Sequence, residues 1–289
     1  MNLLATDSAA DTAEHLRDWL VPFARVFVLT GAGCSTASGI PDYRDTQGEW
    51  KRSPPVNFRD YVDDPVVHAR YWARSFVGWP VVAAAQPNAA HHALAQWQYS
   101  GKLAQLLTQN VDSLHQRAGS HDVIDLHGRI GDVICLACKA GFSRLEVQQQ
   151  LAADNPLWAG LTADTAPDGD ADLEGRDFSG FRAPRCDACG GMLKPDVVFF
   201  GENVPRPRYE AARAALESSD ALLVVGSSLM VYSGFRFARM AHEAGKPIAL
   251  LGLGMTRADA MADVKLTGDC AAVLPLALAE AGMRDAINQ

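Results

Sequence analysis

Several things are scarce in this chain of 289 residues, and each scarcity closes off a class of protein. No apolar run approaches the ~20 residues a helix needs to cross a bilayer, so no membrane partner is expected. Basic residues are outnumbered, 26 Lys and Arg against 34 Asp and Glu, for a formal net charge of -8. That balance argues against non-specific nucleic-acid binding, which depends on clustered Lys and Arg. The N-terminal stretch MNLLATDSAADTAEHLRDWL lacks a basic n-region and carries Asp7, Asp11 and Glu14. Neither a signal nor a transit peptide is therefore expected, and a soluble, cytoplasmic protein is. Internal repeats are absent. Cysteine is sparse, six in all, whereas disulfide scaffolds belong to much shorter secreted chains. What is present is a 48% hydrophobic composition, enough for a sizeable core in one large domain with a smaller insertion.

Four of the six cysteines form two pairs, Cys135-x-x-Cys138 and Cys186-x-x-Cys189, the spacing that closes a tetrahedral four-thiolate zinc site. A redox switch is the rival reading of one CxxC; two pairs in one chain favour metal. The 47 residues between Cys138 and Cys186 exceed the ~15–20 of a compact ribbon. The excess includes Asp164–Gly180, rich in Asp, Gly and Ala, which reads as an exposed loop with little order. With four thiolates the site has no open position for water, so its zinc is structural.

The stretch Val26–Asp45, VFVLTGAGCSTASGIPDYRD, begins as a strand buried on both faces and breaks into Thr30-Gly31-Ala32-Gly33. Glycines there let the backbone approach a phosphate, and a short helix over Cys34–Ser38 would aim its free N–H groups at an anion. Thr36 stands where the third glycine of G-x-G-x-x-G belongs, and Gly39 and Pro41 end the helix early. A hydride-transfer Rossmann unit keeps a long helix at this point. Here the chain leaves the sheet as Asp42-Tyr43-Arg44-Asp45.

Taken in order, helices are expected over 9–20, Asp64–Val77 with Pro65 in its first turn, Pro87–Tyr99 and Phe235–Ala244. Strands are expected over Leu103–Thr108, Val123–Leu126, Asp196–Phe200, Ala221–Val225 and Pro247–Leu251. Gln109-Asn110-Val111-Asp112 and His127-Gly128 sit just past strand ends, where open parallel sheets bind ligands. The alternation implies an α/β fold with a Rossmann-like, mostly parallel sheet covered on both faces.

In that order, GAGCSTASGIPDYR, TQNVDSLHQRAG, LHG, the two CxxC pairs, KPDVVFFGE and GSSLMVYSGFRF resemble the sirtuin family, from about Arg25 to Leu276. RYWARSFVGWP and VVGSSLMVYSGFRF resemble its class II branch in particular. The resemblance implies a Rossmann-like domain of 1–128 and 195–289, with a helical and cofactor-loop segment at about 40–86, and a zinc-ribbon domain of 129–194. It implies an NAD-dependent protein-lysine deacylase, which uses NAD as co-substrate, releases nicotinamide and passes the acyl group to ADP-ribose. Acyl-lysine proteins or peptides would be its partners. His127 would be general base, and Asn110 and Asp112 would orient the nicotinamide amide and a water. Gln109 would contact ribose, Arg44 would fix the loop over a phosphate, and Tyr43 would screen the reactive face. Gly31, Ala32, Gly33, Ser35, Thr36, Asp42, Gly226, Ser227, Ser228, Gly252, Leu253, Gly254 and Cys270 would complete the NAD contacts, and Val198, Phe199, Phe200 and Gly201 would hold substrate.

Tyr71 and Arg74 lie three apart on one expected helix and resemble the pair with which desuccinylating sirtuins grip a carboxylated chain, so acidic acyl groups are one expectation. An ordinary surface Tyr and Arg is the other. Gly252 stands where sirtuins commonly place Asn, and Met255 where Pro is frequent, so one hydrogen bond to NAD worth about 1 kcal/mol is expected to be missing. A mono-ADP-ribosyltransferase would share the NAD chemistry; it would release nicotinamide without an acyl-lysine peptide.

Overall fold

Ser8 caps α1 (Ala9–Leu20) in a closed box, its hydroxyl accepting the Asp11 N–H while the Asp11 carboxylate accepts the Ser8 N–H. The chain continues through β1 (Val26–Thr30), α2 (Phe58–Asp63), α3 (Pro65–Ala84), α4 (Ala89–Tyr99), β2 (Leu103–Thr108), the single turn α5 (Leu114–Arg117) and β3 (Ile124–Asp125). Next come β4 (Gly128–Cys135), β5 (Gly141–Ser143), α6 (Arg144–Asp154) and β6 (Leu193–Val197). Last are α7 (Arg206–Glu217), β7 (Ala221–Val225), α8 (Tyr232–Glu243), β8 (Ile248–Gly252), β9 (Val264–Thr267) and α9 (Cys270–Leu278). This computed structural model describes residues 8–51, 55–162, 170–171, 173 and 175–279.

Among the described residues, β3-β2-β1-β7-β8-β9 form one sheet whose neighbours are all parallel. Every position of β1 is buried, and its side chains alternate between two cores. Val26 and Val28 join Leu16, Leu94 and Leu274 of α1, α4 and α9. Phe27 and Leu29 join Leu216 and Phe237 of α7 and α8. A parallel strand covered on both faces has this uninterrupted apolar pattern. The chain enters at the centre of the sheet, builds outward to β3, and returns to the other side of β1 as β7. The strand order therefore reverses between β1 and β7, and a crevice opens beyond their carboxyl ends.

The cysteine segment forms a second sheet, β5-β4-β6, antiparallel throughout. Its core also takes Tyr61, Trp72 and Phe76 from α2 and α3. The expected strand Asp196–Phe200 is corrected here: β6 spans Leu193–Val197 and pairs with β4, so it belongs to this small sheet rather than to the parallel one. An apolar run records that it will be a strand but not which sheet receives it.

Three further expectations change. The helix after β1 is two 3-10 turns, Ala32–Cys34 and Thr36–Ser38, ended by Gly39 in the left-handed region at φ 82°. α3 runs past Val77 to Ala84 although Pro80 lies inside it. Proline has no N–H to give the Phe76 carbonyl, and Gln148 Nε2 of α6 donates to that oxygen at 2.9 Å instead. Asp164–Gly180 is an exposed loop only in part: 164–169, 172 and 174 lie outside the described residues, but Asp170, Ala171 and Leu173 are buried. Ala171 N–H donates to the Arg74 carbonyl at 2.9 Å, fastening this stretch to α3.

Candidate active site

The crevice between β1 and β7 becomes a site because two backbones touch. Gly33 N–H donates to the Gly226 carbonyl at 2.8 Å. Gly226 has φ 59°, and a Cβ there would lie 2.4 Å from the Cys34 nitrogen. Side chains at this crossing would force the loops apart. Beyond the crossing lies a cavity of about 590 Å³. Gly31, Ala32, Gly33, Ser35 and Thr36 line it after β1, Gly226, Ser227 and Ser228 after β7, and Gly252, Leu253, Gly254 and Cys270 along its far end.

The segment after β2 supplies the polar floor. Asn110 is fixed by donating from Nδ2 to the Gly31 carbonyl at 3.1 Å and to Ser35 Oγ at 3.0 Å. Ser35 Oγ donates to Asp112 Oδ2 at 2.7 Å, and the Leu114 N–H donates to Asp112 Oδ1 at 2.9 Å. Burial nevertheless raises the Asp112 pKa above its ordinary 3.8, outweighing these two bonds. Gln109 Nε2 donates to Ser227 Oγ at 2.6 Å and so spans the crevice. His127, between β3 and β4, lies against Gln109: its Nδ1 is 3.0 Å from the Gln109 carbonyl and its Nε2 is 2.7 Å from Ser233 Oγ. Burial holds the ring pKa down to about 4, the Gln109 bond opposing and Arg208 and Arg236 assisting. A buried ring that stays neutral keeps a lone pair to accept a proton.

Asp42, Tyr43 and Arg44 lie in a small hairpin that closes the cavity from above. Arg44 pairs with Trp50 as an isolated bridge, donates to the Gly48 carbonyl at 2.7 Å and lies 3.9 Å over the Trp50 ring. Asp42 is ion-paired with Lys51. Trp50 meets Tyr43 edge-on and also Phe200, joining the hairpin to the opposite wall. Val198, Phe199, Phe200 and Gly201 form that wall; Val198 N–H donates to the His127 carbonyl at 2.8 Å.

The expected pair Tyr71 and Arg74 is divided. Tyr71 lines the cavity, packed on Phe199 with ring centroids 5.1 Å apart. Arg74 does not line it. Its Nε donates to the Ala171 carbonyl at 3.0 Å and lies 3.9 Å from the Asp170 carboxylate. The guanidinium is held by the buried stretch at 170–171.

Cys135, Cys138, Cys186 and Cys189 converge with all four sulfurs within 4.8 Å of one another. The Cys135–Cys189 and Cys138–Cys186 separations are 3.6 and 3.7 Å. Thiolates at about 2.3 Å from a tetrahedral zinc would be about 3.8 Å apart, so the set fits Zn²⁺ without rearrangement. Cys34, His91 and His115 make a second close group, buried beneath the glycine loop. There the His91 Nδ1 accepts the Asn88 N–H at 3.3 Å, which leaves the proton on Nε2 and no lone pair for a metal. That group is polar packing.

Ser233 and Trp50 belong to the site yet were not singled out from the sequence, although Ser233 lies inside the stretch GSSLMVYSGFRF. Ser233 meets a partner 106 positions away, and Trp50 lies in a hairpin whose strands are too short to show periodicity.

A parallel sheet with a glycine crossing at its switch point, and a cavity shared with a four-cysteine module, defines a class: dinucleotide-binding α/β proteins whose cleft has room for a second ligand. Residues 31–233 match the Sir2 family. An NAD-dependent protein deacetylase of Bordetella bronchiseptica is 57% identical over 268 residues, covering 93% of this chain and 98% of that one. The NAD-dependent protein deacylase Sirt4 of Drosophila melanogaster is 44% identical over 268 residues, covering 92% and 86%. Among solved structures, a Sir2 complex with p53 peptide and NAD+ has a TM-score of 0.72 at 27% identity, covering 93% of this chain and 98% of that one. The chain belongs to the Sir2 family, the sirtuins.

Proposed function

We propose that this sirtuin is an NAD-dependent protein-lysine deacylase of class II, acting on acyl-lysine in proteins or peptides. The observation that carries the reading is the neutral, half-buried His127, its Nε2 directed at a hydroxyl inside a cavity floored by Asn110 and Asp112. NAD supplies a ribose carbon bearing nicotinamide as leaving group, so that the acyl group finally rests on ADP-ribose. Gly31, Gly33 and Gly226, whose own N–H groups are bonded to the Val225, Gly226 and Leu251 carbonyls, would let the pyrophosphate approach the loops closely for want of side chains, and Gln109 with Ser227 would face ribose. Asn110, already fixed by Ser35 and the Gly31 carbonyl, would present its remaining amide oxygen to the nicotinamide amide without reorganising. Asp112, whose carboxyl burial has raised, would hold a water or the same amide. His127 would take the proton of a ribose hydroxyl at Nε2 while Nδ1 stays bonded to the Gln109 carbonyl. Tyr43, Trp50 and Phe200 would exclude water from the reacting atoms.

The acyl group would lie near Val56, Tyr71 and Phe199. Arg74 is turned away from that end, so an uncharged acyl chain fits better than the acidic chain expected from the Tyr-x-x-Arg spacing. NAD turnover against acetyl, longer apolar and succinyl lysine peptides tests this. Nicotinamide release that requires an acyl-lysine peptide, with succinyl the poorest substrate, is expected. Release without any peptide would instead favour ADP-ribosyl transfer to protein.

A further inference from the structure

His127 is gripped from two sides, and the chemistry of the two partners settles where its proton lies. The Gln109 carbonyl can only accept, so Nδ1 bears the hydrogen and Nε2 presents a lone pair. The hydroxyl at 2.7 Å from Nε2 therefore donates to it. The lone pair that would receive a substrate proton is thus already occupied by Ser233.

The local backbone is arranged for this contact. Ser233 is in the first turn of α8, a helix whose N-cap, Val231, offers no side-chain bond. The Ser233 hydroxyl is turned to the imidazole. The neighbouring Gly234 lets the helix come close enough: a Cβ at 234 would lie 2.2 Å from Gln109 Oε1. A larger residue would have to displace the Gln109 side chain or move the start of α8, and with it Ser233, away from His127.

Resting on the assignment of His127 as general base, we infer that Ser233 is a positioning residue, which holds Nε2 in the NAD-free protein and gives up that place to the ribose hydroxyl when NAD binds. Ser233 and the substrate hydroxyl are interchangeable donors to one lone pair. Until the exchange the base keeps its ring orientation and its tautomer, with no buried acceptor left unpaired. Ser233 thus acts on the free protein and not on the loaded one. The charged groups acting on the ring are Arg208 of α7 and Arg236 of α8; neither Ser233→Ala nor Ser233→Thr alters them.

The test is the onset of the His127 ring titration by NMR in NAD-free protein, followed from pH 7.5 down only as far as the amide spectrum stays native, for wild type, Ser233→Ala and Ser233→Thr; a higher ring pKa brings that onset to higher pH. A donor to Nε2 stabilises the neutral ring, so its loss should raise the ring pKa by about 0.5–1 unit, the equivalent of one hydrogen bond. Threonine, which keeps the hydroxyl, should restore the wild-type value. In turnover at saturating acyl-lysine peptide, Ser233→Ala should raise the acid limb of kcat/KM for NAD and leave the limb of kcat in place, since the first reports the NAD-free form and the second the complex. An unshifted ring, or limbs of kcat and kcat/KM that move together, would overturn the inference. His127→Ala is the separate control: sustained turnover in that variant would overturn the base assignment itself, whereas an inactive His127→Ala with an unshifted Ser233→Ala ring would overturn only the role of Ser233.

Discussion

Acid should unfold this protein sooner than its carboxylates alone would require, because four histidines are packed as neutral rings. Burial holds His68, His91 and His127 each down to about 4, and His115 well below the ordinary 6.5. In each case the folded pKa lies under the unfolded one, so the unfolded chain binds more protons below about pH 6.5. The stability from each ring is complete above that value and is lost as pH falls toward 4. At pH 5 the loss is about 2 kcal/mol for each of His68, His91 and His127, from 1.36 kcal/mol per unit over roughly 1.5 units, and His115 adds to it in the same direction. Such losses reach into the 5–15 kcal/mol that a whole domain commonly has. Asp112 runs the other way: its raised carboxyl weighs against the fold when ionised and is relieved as pH falls, a partial offset from one group. Urea unfolding at pH 7.5, 6.5, 5.5 and 5.0 should show the midpoint collapsing across the last two steps. His68→Gln, which removes one titrating ring, should shrink the difference between pH 7.5 and 5.0 by about 2 kcal/mol. A midpoint that stays level from pH 7.5 to 5.0 would refute the reasoning.

Three other outcomes follow from particular contacts. Stripping metal from the four-cysteine site should melt the small sheet, and with it the Tyr71 and Phe199 wall that shares its core, so far-UV CD and turnover should fall together; full activity in protein shown to be zinc-free would contradict this. Gln148→Ala should cost about 1–3 kcal/mol by leaving the Phe76 carbonyl unpaired as well as losing the bond from Arg144, and less in a Pro80→Ala background, where the helix N–H is restored and the Arg144 bond alone is lost; a double-mutant cycle in urea reads the coupling. Arg74→Ala should lower stability by about 1 kcal/mol and leave the ranking of acyl-lysine peptides unchanged, as read from kcat/KM for acetyl against succinyl.

What the sequence disclosed was whatever is written within one short segment. β1, the glycine loop, the failure of the helix at Gly39 and the polar residues after β2 are all local, and the structure has them in place. The CxxC pairs were legible because metal geometry demands that spacing. What stayed hidden was decided between segments. Pro80 appears to any local reading as a helix end, and its rescue comes from Gln148, 68 positions on. Arg74 shares a helix with Tyr71, but the buried 170–171 stretch determines where its guanidinium goes. β6 reads as a strand in either sheet until β4 claims it. Ser233 shows its purpose only when α8 is folded against Gln109.

As general base, His127, kept neutral in this cavity, would drive acyl transfer from lysine to ADP-ribose. The most direct test of this is mass-spectrometric detection of acyl-ADP-ribose from NAD and an acyl-lysine peptide, with wild type beside His127→Ala. Wild type is expected to give stoichiometric nicotinamide, deacylated peptide and acyl-ADP-ribose, and the variant a fall of at least about 10²-fold, the scale on which general acid–base groups contribute. Nicotinamide formed without acyl-ADP-ribose, or a His127→Ala protein of undiminished turnover, would contradict it.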